Sequence, residues 1–140
     1  MEFRVQETNE QISERIGKIG EELSESIKKA LLITGLHGKA IIQDRMTSGR
    51  TIKGGDFEPY TGAYAAFRKA KGRSERPDLK FSKNMFSSIT VKANSNQAEI
   101  FFSRGTEAKK AALNNKTRPF FGFNNSEKKE LLTVFSRHLK

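Results

Sequence analysis

The apolar positions Ile12, Ile16, Ile19, Leu23, Ile27 and Leu31 recur at spacings of three and four. That spacing stacks them on one face and predicts an amphipathic helix over residues 9–34. Glu14, Lys18, Glu21, Glu25 and Lys29 fall elsewhere on the wheel, and Thr8 or Asn9 suits the N-cap. Gly17 and Gly20 each weaken this helix by about 1 kcal/mol relative to alanine, so it draws on packing. A second helical stretch is predicted over residues 36–47, with Leu36, Ala40 and Ile41 inward. The pattern leaves open whether Gly35 breaks the path or only bends it.

Residues 48–63 are predicted as loop, since Ser48-Gly-Arg50, Lys53-Gly-Gly-Asp56 and Glu58-Pro59 are turn formers. A short helix follows from Ala63 to Lys71 and stops at Gly72, before a charged loop over Arg73–Asp78. Leu79–Phe86 fits either a helical turn or an extended segment. Ser88–Lys92 alternates apolar and polar, Asn94-Ser-Asn96 is turn chemistry, and Gln97–Phe102 returns, which together predict a β-hairpin. Thr106–Leu113 suits a short helix, Asn114–Asn125 a loop, and Ser126–His138 a last helix capped by Ser126. The expected organisation is an N-terminal amphipathic helix over residues 1–35 and a body over residues 36–140, one domain overall.

Composition adds an uneven charge. The chain has 140 residues, 35% of them apolar, and a formal charge of +10. Residues 1–44 carry six Lys/Arg against eight Asp/Glu, and residues 45–140 carry twenty against eight. A mildly acidic first third therefore precedes a strongly basic remainder. The basic part favours partners bearing phosphate or carboxylate, and the acidic segment of one copy can attract the basic part of another. The low apolar share predicts a thin core, or one completed by neighbouring subunits. Phenylalanine supplies 11 of the 13 aromatics and is expected to dominate the packing.

The absence of cysteine excludes disulfides, thiolate catalysis and cysteine-ligated zinc. No apolar run approaches the roughly 20 residues of a membrane span. Met1–Glu7 lacks a basic start followed by an apolar stretch, so no signal peptide is expected. Catalytic chemistry is poorly supplied. The two histidines, His37 and His138, have no neighbouring acid or nucleophile at relay spacing, and Lys53-Gly-Gly-Asp56 is not a phosphate loop. Asp56/Glu58 and Glu75/Asp78 lie among basic residues, where ion pairing explains them better than acid–base work. No enzyme activity, metal or cofactor is expected.

Three constellations remain. Arg118-Pro119-Phe120-Phe121-Gly122 places a rigid proline, a permissive glycine and two large rings before the last helix. Burying such a ring is worth roughly 1.5–3 kcal/mol, which favours a loop folded onto its own core over exposure at a subunit contact. Phe57 and Tyr60 anchor a second loop, flanked by Arg45, Arg50 and Lys53 as candidate holders of a phosphate or a neighbour's carboxylate. The densest basic tract is Arg68, Lys69, Lys71, Arg73 and Arg76. Lysine and arginine neutralise phosphates without reading sequence. With no helix-turn-helix, zinc spacing or aromatic RNA-binding motif, a solvated or subunit-facing patch is the simpler reading.

The order of short motifs resembles a family of tailed-phage virion morphogenesis proteins, the neck, head–tail joining and tail-completion proteins. The motifs are Arg45 to Gly49, Gly55 with Phe57, Pro59 and Tyr60, Tyr64-Ala65, Gly72-Arg73, Asp78-Leu79, Ser82, Met85 with Ser88-Ile89, and Arg118-Pro119-Phe120 with Gly122. The resemblance covers residues 36–138. Family members often carry glycine where Lys83 stands. The resemblance implies an α+β fold, a small antiparallel sheet flanked by helices, with copies forming a ring around the channel that DNA crosses. It implies as partners further copies of the chain, adjoining connector, adaptor, tail-terminator or tail-tube proteins, and DNA touched without sequence reading. The implied location is the virion neck or tail, after assembly in the host cytoplasm. A monomer that orders on docking is compatible with this picture, with residues 34–38 as a candidate hinge. The alternative is a basic protein that binds nucleic acid non-specifically.

Overall fold

The computed structural model describes residues 9–79 and 83–139. It has an α+β fold. Helix α1 (Asn9–Ser48) is followed by α2 (Gly62–Ala70), α3 (Asn84–Ser87), strands β1 (Ile89–Ala93) and β2 (Ala98–Phe102), α4 (Gly105–Thr117) and α5 (Asn125–His138). Thr8 and Ser82 lie outside the described residues.

Helix α1 dominates the architecture. At 40 residues it is about 60 Å long. The two helices expected on either side of Gly35 are one, because Gly35 and Gly38 are contact residues inside α1 and not breakers. A Cβ on Gly35 would lie 2.6 Å from Val91 Cγ1 and 3.3 Å from Ala98 Cβ. One on Gly38 would lie 2.9 Å from Phe123 Cζ and 3.0 Å from Ile100 Cδ1. The missing side chains let the hairpin and Phe123 sit directly on the α1 backbone. Segment 34–38 is therefore a close-packed seam, and the expected hinge is replaced by it.

The β1–β2 hairpin is antiparallel, with Ile89 opposite Phe102, Val91 opposite Ile100 and Ala93 opposite Ala98. These alternate residues form the face turned to α1, as a period of two requires. On the other face Lys92 and Glu99 stand opposite each other, with Nζ 3.2 Å from the carboxylate. Asn94 Oδ1 closes the turn by accepting from the backbone N–H of Asn96 (2.7 Å) and Gln97 (2.9 Å). An isolated two-stranded hairpin is marginal in water, so this one owes its stability to the α1 seam.

The core is small, as the composition predicts. Ile42 and Met46 of α1 meet Phe57, Met85, Ile89 and Phe120 at its centre. Helix α5 also packs against α1. Its N-cap is Asn124 and not Ser126: Asn124 Oδ1 accepts from Glu127 N–H, while Glu127 Oε1 accepts from Asn124 N–H, each at 2.9 Å. Residues 114–117, expected as loop, continue α4. There Asn115 Oδ1 accepts from the N–H groups of Phe120 (3.0 Å) and Phe121 (3.1 Å), tying the helix end to the segment that follows.

The body covers α1 only from Ser26 onward; residues 10–25 are exposed throughout. The stripe Ile12, Ile16, Ile19, Leu23 is thus continuous with the buried face but has no cover. Ile16 and Ile19 are 65% and 63% exposed.

The seam makes a paired prediction. Gly35→Ala and Gly38→Ala should each lower the stability of the fold by about 1–3 kcal/mol, read as an earlier denaturant midpoint. Gly17→Ala and Gly20→Ala, where a Cβ meets nothing within 4 Å, should instead raise helicity in circular dichroism without lowering the midpoint. Equal tolerance at all four positions would contradict the close-packed seam.

Candidate interface

Two arginines organise the surface around the Phe-rich loop, and both do so from inside the protein. Arg45, in the last turn of α1, is buried. Its Nη1 donates to the carbonyls of Phe120 (2.6 Å) and Gly122 (2.7 Å), and its Nη2 to the Glu127 carboxylate. Arg68, on α2, is 1% exposed. It donates from Nε to Ser74 O and from Nη2 to Asp78 Oδ1, both at 2.8 Å. Burial spends both charges within the chain, so Arg45 and Arg68 are not the surface contacts for DNA or an acidic partner that the sequence suggested.

The Arg118–Gly122 segment lies against the 50–57 loop. Pro119 O accepts from Ile52 N–H at 2.8 Å, and Asn124 Nδ2 donates to Ile52 O at 2.9 Å. Phe120 and Phe57 are buried, and Phe121 is half-buried with its ring centroid 5.1 Å from that of Phe102. A Cβ on Gly122 would stand 3.0 Å from Ile52 Cδ1, so glycine there permits the two loops to touch. These rings are architecture; they leave little surface for a partner.

The exposed surface lies beside them. Arg118 donates from Nε to Glu58 O at 2.8 Å, which holds its guanidinium 4.7 Å from the Tyr60 ring centroid. Arg68 lies 4.9 Å from the same ring. Tyr60 meets Tyr64 edge to face at 4.8 Å, and Tyr64 meets Phe67 at 6.1 Å. Tyr60 and Tyr64 of this row, with Arg118, form one wall of an open groove of about 640 Å³. The other wall is α4, presenting Glu107, Lys110, Asn114 and Thr117, with Leu79 and Met85 also lining it. Phe67 (47% exposed), stacked on Tyr64, and Leu113 (65%), on α4, stand outside that lining.

Glu107 was not anticipated from sequence. It is buried, and its Oε1 accepts from Lys110 Nζ at 3.2 Å, while Oε2 has no hydrogen-bond partner among the described residues. Its only sequence signal is its phase: it stands four residues before Ala111, the other buried residue of α4.

The remaining basic residues do not form one patch. Lys69, Lys71, Arg73 and Arg76 are exposed around the end of α2, where Lys69 pairs with Glu75 at 3.5 Å. Arg50 and Lys53 are exposed on the other loop, and Arg50 lines a depression shared with Asp44, Glu127 and Glu130. His37 Nε2 lies 2.8 Å from Glu130 Oε1 on the surface, and His138 Nδ1 lies 2.9 Å from Val134 O. Among the described residues no helix is long and apolar enough to cross a membrane.

In comparison with known proteins, no family model, no curated protein and no solved structure matches this chain.

Two outcomes follow from the arginines and Tyr60. Arg45→Ala leaves two carbonyls without their donor and a part-buried carboxylate without its cation, and should cost about 3 kcal/mol in denaturant unfolding; a loss below about 1 kcal/mol would show the contact to be dispensable. Burial pushes the Tyr60 phenol above its ordinary value near 10, while Arg68, the Leu79 backbone and Arg118 pull it back. The folded state therefore holds the Tyr60 proton more tightly than the unfolded one. That contribution is full below about pH 10 and is lost as pH rises through the folded value. Ultraviolet titration should show that Tyr60→Phe removes an ionisation step above the ordinary value; removal of a step at or below it would contradict the assignment.

Proposed function

We propose that this chain is a structural virion protein of a tailed bacteriophage, a neck or tail-completion subunit. Copies of it close into a ring around the DNA channel at the head–tail junction, against connector, adaptor or tail proteins. The observation that carries this reading is the uncovered α1 stripe. One amphipathic face is core from Ile27 onward and bare from Ile12 to Leu23, as expected of a subunit whose surface is completed by a neighbour. A heterologous contact between identical copies closes into a ring when its rotation permits.

A second feature supports the resemblance behind this reading. Lys83 adopts a left-handed backbone, with φ +61°. That conformation favours glycine, the residue often found at this point in the neck and tail-completion family. The exposed Lys69, Lys71, Arg73 and Arg76 suit a lumen that tolerates passing DNA without reading it. The same residues favour the second reading, a protein that binds nucleic acid non-specifically.

Deleting the gene from the phage that encodes the chain and imaging the lysate by negative-stain electron microscopy tests the first reading. Filled heads with separate or malformed tails are the expected result; intact, infectious particles would overturn it. Binding of free duplex DNA by the purified chain, with affinity falling steeply as salt rises, would then move the second reading forward.

A further inference from the structure

We infer that the bare N-terminal part of α1 docks on a second copy of this chain, along the groove between α2 and α4. This rests on the reading of the chain as a self-assembling subunit and names the two surfaces that meet. The first argument is charge. Residues 10–25 carry five glutamates against Arg15 and Lys18, a net −3 on a chain whose total is +10. The remainder is therefore +13; the groove itself is lined by Lys110, Arg118 and the buried Arg68 against Glu58 and Glu107. Two overhangs paired with each other would set −3 against −3, whereas an overhang laid on the rest of a second copy sets acid against net base.

The second argument is shape and apolar match. From Ile12 to Leu23 the stripe spans about 17 Å, and α4, at 13 residues, offers a wall of about 20 Å. Tyr64, Leu79 and Met85 line the groove, and the exposed Phe67 and Leu113 stand outside that lining on α2 and α4. The overhang cannot serve its own groove, because α1 runs unbroken from Asn9 to Ser48 and carries residues 10–25 past the body. A helix of this size covers less than the roughly 800 Å² per partner of a stable pair. In a head-to-tail ring each copy both gives an overhang and receives one, which doubles the area each subunit buries.

The absence of cysteine makes the test direct. Ile16→Cys and Leu113→Cys are prepared as separate full-length variants, mixed, and treated with a short bis-maleimide, with light scattering run in parallel. The expected result is a covalent dimer that forms in the mixture and not with either variant alone. Dimer from Ile16→Cys alone would overturn the inference in favour of overhang pairing. An oligomer without cross-links would overturn the groove while leaving ring assembly standing. A monomer at every concentration would overturn docking between copies, and the gene-deletion phenotype would then judge the virion role separately. Ile16→Asp with Ile19→Asp, both at exposed positions, should abolish the oligomer and leave circular dichroism unchanged; an intact oligomer would count against the stripe.

Discussion

The Arg45 guanidinium is the contact on which the rest of the structure depends. From the last turn of α1 it reaches two carbonyls of the Phe120–Gly122 segment and the carboxylate of Glu127. That carboxylate also accepts from Asn124 N–H in the capping box that starts α5. One side chain thereby fixes the end of the long helix, the loop that delivers Phe120 to the core, and the N-terminus of the helix that covers α1. A planar, always-charged fork suits this task, since it satisfies several acceptors in fixed directions. It also explains how a chain with only 35% apolar residues holds a defined loop: hydrogen bonds to charge supply what a thin core does not.

The same economy shapes the surface. Nearly every large ring near the Arg118–Gly122 loop is spent on internal packing. Exposed apolar side chains stand on the α1 stripe ahead of Ser26, at Tyr64, Phe67 and Leu113 beside the groove, and at Leu32, Ile33, Leu36, Leu132 and Leu139 along α1 and α5. Functional readings that use the basic residues alone have less to work with, because Arg45 and Arg68 are internal and Arg50 sits beside carboxylates.

What was legible in the sequence was local. The hairpin follows from alternation and the Asn94 turn, and the α1 stripe from its three-and-four spacing. Gly35 and Gly38 misled because a helical glycine that permits close approach has the same local signature as one that ends a helix; Val91 and Phe123, which need the space, lie far along the chain. Residues 114–117 read as loop because Asn-Asn-Lys-Thr has weak helix propensity, which the Asn115 tie to Phe120 and Phe121 offsets. The Arg118–Gly122 loop was legible as architecture. Arg45 and Arg68 were not legible as buried, since a lone arginine reads as surface and the acceptors of Arg45 stand 75 and more residues away. Glu107 was invisible for the same reason: only the packed groove reveals a carboxylate with half its oxygens unserved.

The central claim is that the body folds by itself while the N-terminal part of α1 is completed by another copy. Hydrogen–deuterium exchange measured across a range of protein concentrations tests it most directly. The account predicts that amides of β1, β2 and the C-terminal half of α1 are protected at every concentration. Protection over residues 10–25 should rise with concentration, together with that of residues 58–64 and 107–117. Protection of residues 10–25 that does not change with concentration, or a rise there with none along the groove, would contradict it.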